Sequence, residues 1–107
     1  MPFRGDLGVT AESPQLLEAL NHPLRRRILR TVACRREPSS AHWLSQALDV
    51  PLGRIRYHVA FLVRSGALDE DGTEHTRGAA RRLYRLTPAG RTAWVLGFLE
   101  SDHDDGR

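Results

Sequence analysis

Between Ser39 and Gly66 two apolar periodicities flank a break too short for anything but a tight turn. Ser39 or Ser40 suits an N-cap, and Ala41 to about Leu48 then carries a compact apolar face of Trp43, Leu44, Ala47 and Leu48. Asp49-Val50 makes the turn. Pro51 opens a longer helix to Ser65 whose inward stripe is Ile55, Val59 and Leu62, at helical offsets of four and three. Gly66 follows as a left-handed terminator.

Short helix, turn, longer helix is the helix-turn-helix pattern, and what flanks it narrows the fold further. Residues 1–12 hold Pro2, Gly5 and Gly8 without a period and read as a flexible arm. Ser13-Pro14 is a cap followed by proline at the first helical position, and Leu16, Leu17, Ala19 and Leu20 give a short apolar helix. Pro23 opens the next helix, to about Arg36, with Leu24, Ile28 and Val32 as its buried stripe. Downstream, Asp71-Gly72 and Gly78 are turn signals, and Arg82 to Leu86 roughly alternates. This predicts a two-stranded β-hairpin with a long, flexible tip. Thr87-Pro88 repeats the cap-plus-proline start, and a last helix runs to about Glu100. The expected class is α+β, mainly α: one domain over 13–100 with a β-wing, followed by an acidic, disordered tail at 101–107. A chain of 107 residues has room for one such domain.

Charge is uneven along this frame. From His22 to Gly66 nine arginines face Glu37 and Asp49, whereas the last eight residues hold four carboxylates against Arg107. A basic middle points to a polyanionic partner. With Ile55, Val59 and Leu62 turned inward, Leu52, Gly53, Arg54, Arg56 and Tyr57 project outward from the N-terminal half of the longer helix. That half of such a helix enters the major groove of double-stranded DNA. Arginine there reads guanine or clamps phosphate, and tyrosine contacts phosphate or a thymine methyl. His58, set between core positions, reads as a packing or phosphate-contacting residue. At the hairpin tip Arg77, Arg81 and Arg82 flank Gly78, Ala79 and Ala80, which suits phosphate or minor-groove contact, Arg77 and Arg81 above all. The first wing strand is acidic, with Asp69, Glu70, Asp71 and Glu74, and is expected to face away from DNA or toward a partner.

The run from Leu16 to Trp94 resembles the ArsR-type winged helix-turn-helix regulators, in the subgroup that does not sense metals. HPLRRRILRTV resembles the opening of that family's second helix. WLSQALDVPLGRIRYHVAFLVRSGAL resembles its paired DNA-reading helices, with His58, Leu62 and Gly66 where the family usually has His, Leu and Gly. LYRLTPAG resembles the second wing strand and its exit into the last helix. The resemblance implies a homodimeric repressor on a two-fold-symmetric operator, paired through its first and last helices. On this chain those helices offer Leu16, Leu17 and Leu20, and Trp94, Val95, Phe98 and Leu99. Trp94 to Leu99 also covers more of a helix than one domain face buries, which agrees with a dimer seam.

Other chemistry finds little purchase. No glycine-rich phosphate loop and no nucleophile–base motif is present, so no enzyme and no cofactor is expected. Metal ligands are not expected either: the shorter DNA-reading helix offers only His42, and Asp102-His103-Asp104 lies on a tail without fixed geometry. Cys34 is the one cysteine and has no intrachain disulfide partner; a passive role is the simpler reading, and its residues leave redox activity open. No membrane span or signal peptide is visible, so the expected location is the cytoplasm. No residues point to an effector. The acidic strand and tail keep one alternative open, a winged-helix protein–protein interaction module that does not bind DNA.

Overall fold

The computed structural model describes residues 14–92. α1 (Pro14–Ala19) is followed by α2 (Pro23–Cys34), β1 (Ser39–Ser40), α3 (Ala41–Leu48), α4 (Leu52–Arg64), β2 (Leu68–Thr76) and β3 (Ala79–Leu86), and residues 88–92 are again helical.

Each boundary has a local cause. The His22 ring caps α2, its Nδ1 accepting from the Leu24 N–H at 3.1 Å, with Pro23 at the first position where no N–H is needed. α2 ends two residues earlier than the apolar pattern suggests. Arg35 swings to extended backbone and lays its guanidinium over the Trp43 ring, 3.8 Å from the centroid. Ser40 caps α3 by accepting from the Trp43 N–H at 2.9 Å. α3 stops at Asp49, a left-handed residue with φ 58°, a conformation aspartate tolerates. Ser45 staples the turn: its hydroxyl donates to the Val50 carbonyl at 2.6 Å, and its carbonyl accepts from the Val50 N–H at 3.1 Å. α4 closes in a Schellman motif, the Ala67 N–H bonding the Leu62 carbonyl and the Gly66 N–H the Val63 carbonyl, with Gly66 at φ 90°.

The core lies where α2, α3, α4 and the root of the wing meet. Ile28, Leu29, Leu44, Ile55, Leu62 and Leu68 are fully buried there. The stripe of Leu24, Ile28 and Val32 faces inward as expected, joined by Leu29 and, unexpectedly, by Arg25. Ala47, placed on the apolar face of α3 by its sequence, is instead exposed.

The wing differs from expectation in two ways. The sheet has three strands, in the order β1-β3-β2 and antiparallel throughout, because Ser39 and Ser40 pair with Tyr84 and Leu83. The tip is also short. Thr76 pairs with Ala79 across a two-residue turn, Arg77-Gly78, with Gly78 at φ 67°. Asp71-Gly72 is no hairpin turn but an irregularity inside β2, where the register shifts between Glu70 and Thr73 and Gly72 takes φ 97°.

The entry to the last helix is held by one side chain. Thr87 Oγ1 donates to the Gly66 carbonyl at 2.6 Å and accepts from the Gly90 N–H at 2.8 Å, and its own N–H bonds the Ala67 carbonyl at 3.1 Å. Thr87 therefore caps the helix and moors it to the end of α4. The architecture, two short-turned helices followed by a hairpin, is a winged helix-turn-helix.

Candidate nucleic-acid interface

α4 presents a polar ridge because its buried side is spent on Ile55, Val59 and Leu62. Gly53, Arg54 and Arg56 are exposed, as is Tyr57 at 61% of its surface; Leu52 is half-buried. No side chain caps the first turn, since Pro51 holds the cap position. The leading N–H groups and the positive end of the helix dipole therefore face outward beside two guanidiniums, a setting that favours an anion.

Beside the ridge runs a groove of about 540 Å³ between α4 and the wing. Arg56 and Ala60 of α4 form one wall, Arg81, Arg82 and Tyr84 of β3 the other, and His42 of α3 closes one end. The fold thus brings Arg56 and Arg81 to one groove. It sets Arg77 apart, exposed in the wing turn. Arg82, the third arginine of the wing, joins Arg56 and Arg81 there, and His42 belongs to this groove although the sequence does not mark it as a binding residue. His42 carries no such signal, because the groove exists only once β3 folds back over α3 and α4.

The acid residues of β2 are partly accounted for within the wing. Arg85 pairs with Asp71 at 2.7 Å and Arg82 with Glu70 at 3.3 Å. These two carboxylates thus meet β3. Such exposed pairs stabilise by at most about 1 kcal/mol each, so their main effect is on local charge.

His58 leaves the reading surface. It is 6% exposed, with its Nδ1 3.3 Å from Arg25 Nη1 and its ring 4.4 Å from that of His22. Burial lowers its pKa first, and the neighbouring His22, Arg25 and Arg54 lower it further. His22 is lowered in the same way, by burial and then by Arg25, Arg26 and Arg54. Arg25 is the hub of this cluster. Its Nε and Nη2 donate to the carbonyls of Ala19 and Glu18, both at 3.1 Å, and its guanidinium lies 4.1 Å from the Phe61 ring centroid. It thereby satisfies the end of α1 and braces α4 from behind. Its position one residue after Leu24 and four before Leu29, within the apolar face, is the signal the sequence offers for it.

Of the residues expected at a dimer seam, Leu16 is core, 3% exposed, and offers no surface to a second chain. Leu20 packs partly against that core, and Leu17 is 51% exposed. Trp94, Val95, Phe98 and Leu99 lie outside the described residues. Among the described residues no three metal-ligating side chains cluster, and no helix is long and apolar enough to cross a membrane.

With the geometry in place, the fold defines a class: it is that of winged helix-turn-helix transcription regulators. The chain is similar to Staphylococcus aureus MarR, solved with salicylate and kanamycin, at a TM-score of 0.65 and 17% identity over 97% of this chain. It spans 66% of that protein's length. It is also similar to the transcriptional repressor BigR from Xylella fastidiosa, with a TM-score of 0.62, 23% identity, 94% of this chain and 95% of that one. An ArsR-like transcriptional regulator from Rhodococcus sp. RHA1 superposes with a TM-score of 0.57 at 26% identity, covering 92% and 85%. No family model matches the chain, and no curated protein matches it. MarR and ArsR regulators both stand among the similar structures, so the likeness extends to winged-helix regulators rather than to one subgroup.

Proposed function

We propose that this chain is a sequence-specific DNA-binding transcription regulator that acts as a homodimer, and as a repressor, on a two-fold-symmetric operator. The observation that carries the reading is the exposed ridge of Gly53, Arg54, Arg56 and Tyr57 on a helix whose opposite face is locked in the core. The ridge enters the major groove, Arg56 and Arg81 follow the backbone along the groove beside it, and Arg77 reaches phosphate or the minor groove from the wing turn. Leu17 and the apolar residues Trp94, Val95, Phe98 and Leu99 supply the dimer seam. The similar structures named as regulators and as a repressor support the same reading. The interaction-module alternative loses ground, because two of the four carboxylates on β2 are paired inside the wing.

The test is selection of duplexes from a random pool, followed by fluorescence anisotropy on the winner across a salt series. Wild type should bind with a steep salt dependence and a stoichiometry of two chains per site. Replacing Arg54 and Arg56 together by alanine should weaken specific binding by about 100-fold or more. Removing one arginine's hold on a base or phosphate costs about 1–3 kcal/mol, and a dimer carries each arginine twice. Unchanged affinity in a folded double mutant would overturn the assignment of α4 as the reading helix.

A further inference from the structure

A second basic groove lies away from α4. It has a volume of about 530 Å³ and is formed by the end of α2, the end of β3 and the helical residues 88–92. Arg35, Arg36, Arg85 and Arg91 line it, against the single carboxylate of Glu37. Its floor is apolar: Val32 and Leu86 are 4% and 7% exposed. Two of the guanidiniums are held in place. Arg35 is stacked on Trp43, bonded to Ser39 Oγ at 3.3 Å and paired with Glu37 at 3.5 Å; Arg85 is held by Asp71. Arg36 and Arg91 make no ion pair among the described residues.

With Arg35 paired to Glu37 and Arg85 to Asp71, the positive charges of Arg36 and Arg91 remain uncompensated among the described residues around one concavity and favour an anion between them. The dipole of α2 accounts for Arg35 and Arg36, which sit at its negative end, but not for Arg85 and Arg91, which arrive from other elements. Guanidinium groups bind carboxylate and phosphate oxygens in pairs, and an apolar floor beneath them suits a short carbon skeleton. We propose that this groove binds a small organic anion bearing at least two carboxylate or phosphate groups, with Arg35 and Arg85 as the preset partners and Arg36 and Arg91 closing on the ligand. No residue of α4 lines it, so the site is distinct from the reading surface. It shares only the strand β3 with the groove beside the ridge.

Calorimetric titration of the full chain at constant ionic strength tests this, with phthalate as an aromatic dicarboxylate probe and inorganic phosphate as the bare anion. Phthalate should bind saturably, one per chain, and more tightly than phosphate. The exposed pair Arg36→Gln/Arg91→Gln should weaken it about tenfold or more with an unchanged melting curve. Arg54→Gln/Arg56→Gln should leave it intact. Each arginine is also replaced singly, so that a folding defect in the double variant does not decide the result. Three results would overturn the proposal: no saturable binding of either probe, equal weakening by both pairs of substitutions, or a loss in Arg36→Gln/Arg91→Gln confined to duplex DNA, which would make the groove a backbone-binding surface. The inference does not rest on DNA reading, since the anion titration contains no DNA.

Discussion

Replacing Gly90 by alanine should destabilise the protein, although alanine is the better helix former. A Cβ built at Gly90 would lie 2.0 Å from the Ala67 carbonyl oxygen, 2.8 Å from its carbon and 3.0 Å from its Cα. All three are backbone atoms, so no side chain can turn aside. The Ala67 carbonyl is itself held by the Thr87 N–H, and Thr87 Oγ1 ties the same turn through the Gly66 carbonyl. Relieving the overlap means parting the end of α4 from the last helix. Overpacking of this kind costs about 1–3 kcal/mol. Each hydrogen bond stretched or broken adds about 1 kcal/mol. The propensity gain of alanine over glycine returns about 1 kcal/mol. The net is a loss of about 2 kcal/mol, which for a domain of this size lowers Tm by about 8–16 °C. Gly53→Ala is the internal control. Nothing lies within 4 Å of its Cβ position, and it is an exposed helical site, so the same substitution should raise Tm by a few degrees, about 1 kcal/mol or less. Thermal melts followed by circular dichroism measure both. A Gly90→Ala variant that melts with or above wild type would show that the Thr87–Gly90 mooring is not close-packed in solution.

Stability should fall on acidification. His22 and His58 are held below the ordinary histidine value of 6.5, chiefly by burial, so the unfolded chain takes up protons more readily than the folded one as pH drops below about 6.5. The stabilisation is complete above that pH and is lost as pH falls toward the folded pKa values; urea titrations from pH 7.5 to 5 should show this slope, reduced in His58→Gln. Arg25→Met keeps the volume but leaves the Glu18 and Ala19 carbonyls and His58 Nδ1 without their donor, and should lower ΔG of unfolding by about 1–3 kcal/mol in a denaturant melt. Ser40→Ala removes the cap of α3 and should cost about 1 kcal/mol by the same measurement.

Most of this architecture is legible in the sequence because helix and turn signals are local. The stripe of Ile55, Val59 and Leu62, the left-handed Gly66 and the Thr87-Pro88 start each act within a few residues, and each falls where the sequence places it. What the sequence hides depends on distant partners. Ser39-Ser40 has no strand signature and becomes one only against Tyr84 and Leu83. Gly72 and Gly78 read equally as turns; cross-strand register alone decides that the first is an irregularity and the second the tip. His58 sits at a position compatible with either face of α4, and its burial is decided by Arg25, thirty-three residues away in sequence. The exposed ridge is legible because it needs only the helix and its inward side, whereas the groove beside it needs the closed sheet.

Ser40 belongs at once to a helix cap and to a strand, and these two roles mature at different times. The cap bonds Trp43, three residues away, and forms with α3 itself. The strand needs Leu83, and bringing those ends together carries the entropy of closing most of the domain. Helices and the β2–β3 hairpin rely on near neighbours and should assemble early, leaving the seating of the hairpin on Ser39-Ser40 as the closing event of folding. The same seam is then the natural first place to part when the protein is heated or pulled. Opening there would loosen the outer wing while its root, at Leu68 and Leu86, and α4 stay docked in the core, so the two halves of the proposed reading surface would lose structure in sequence rather than together.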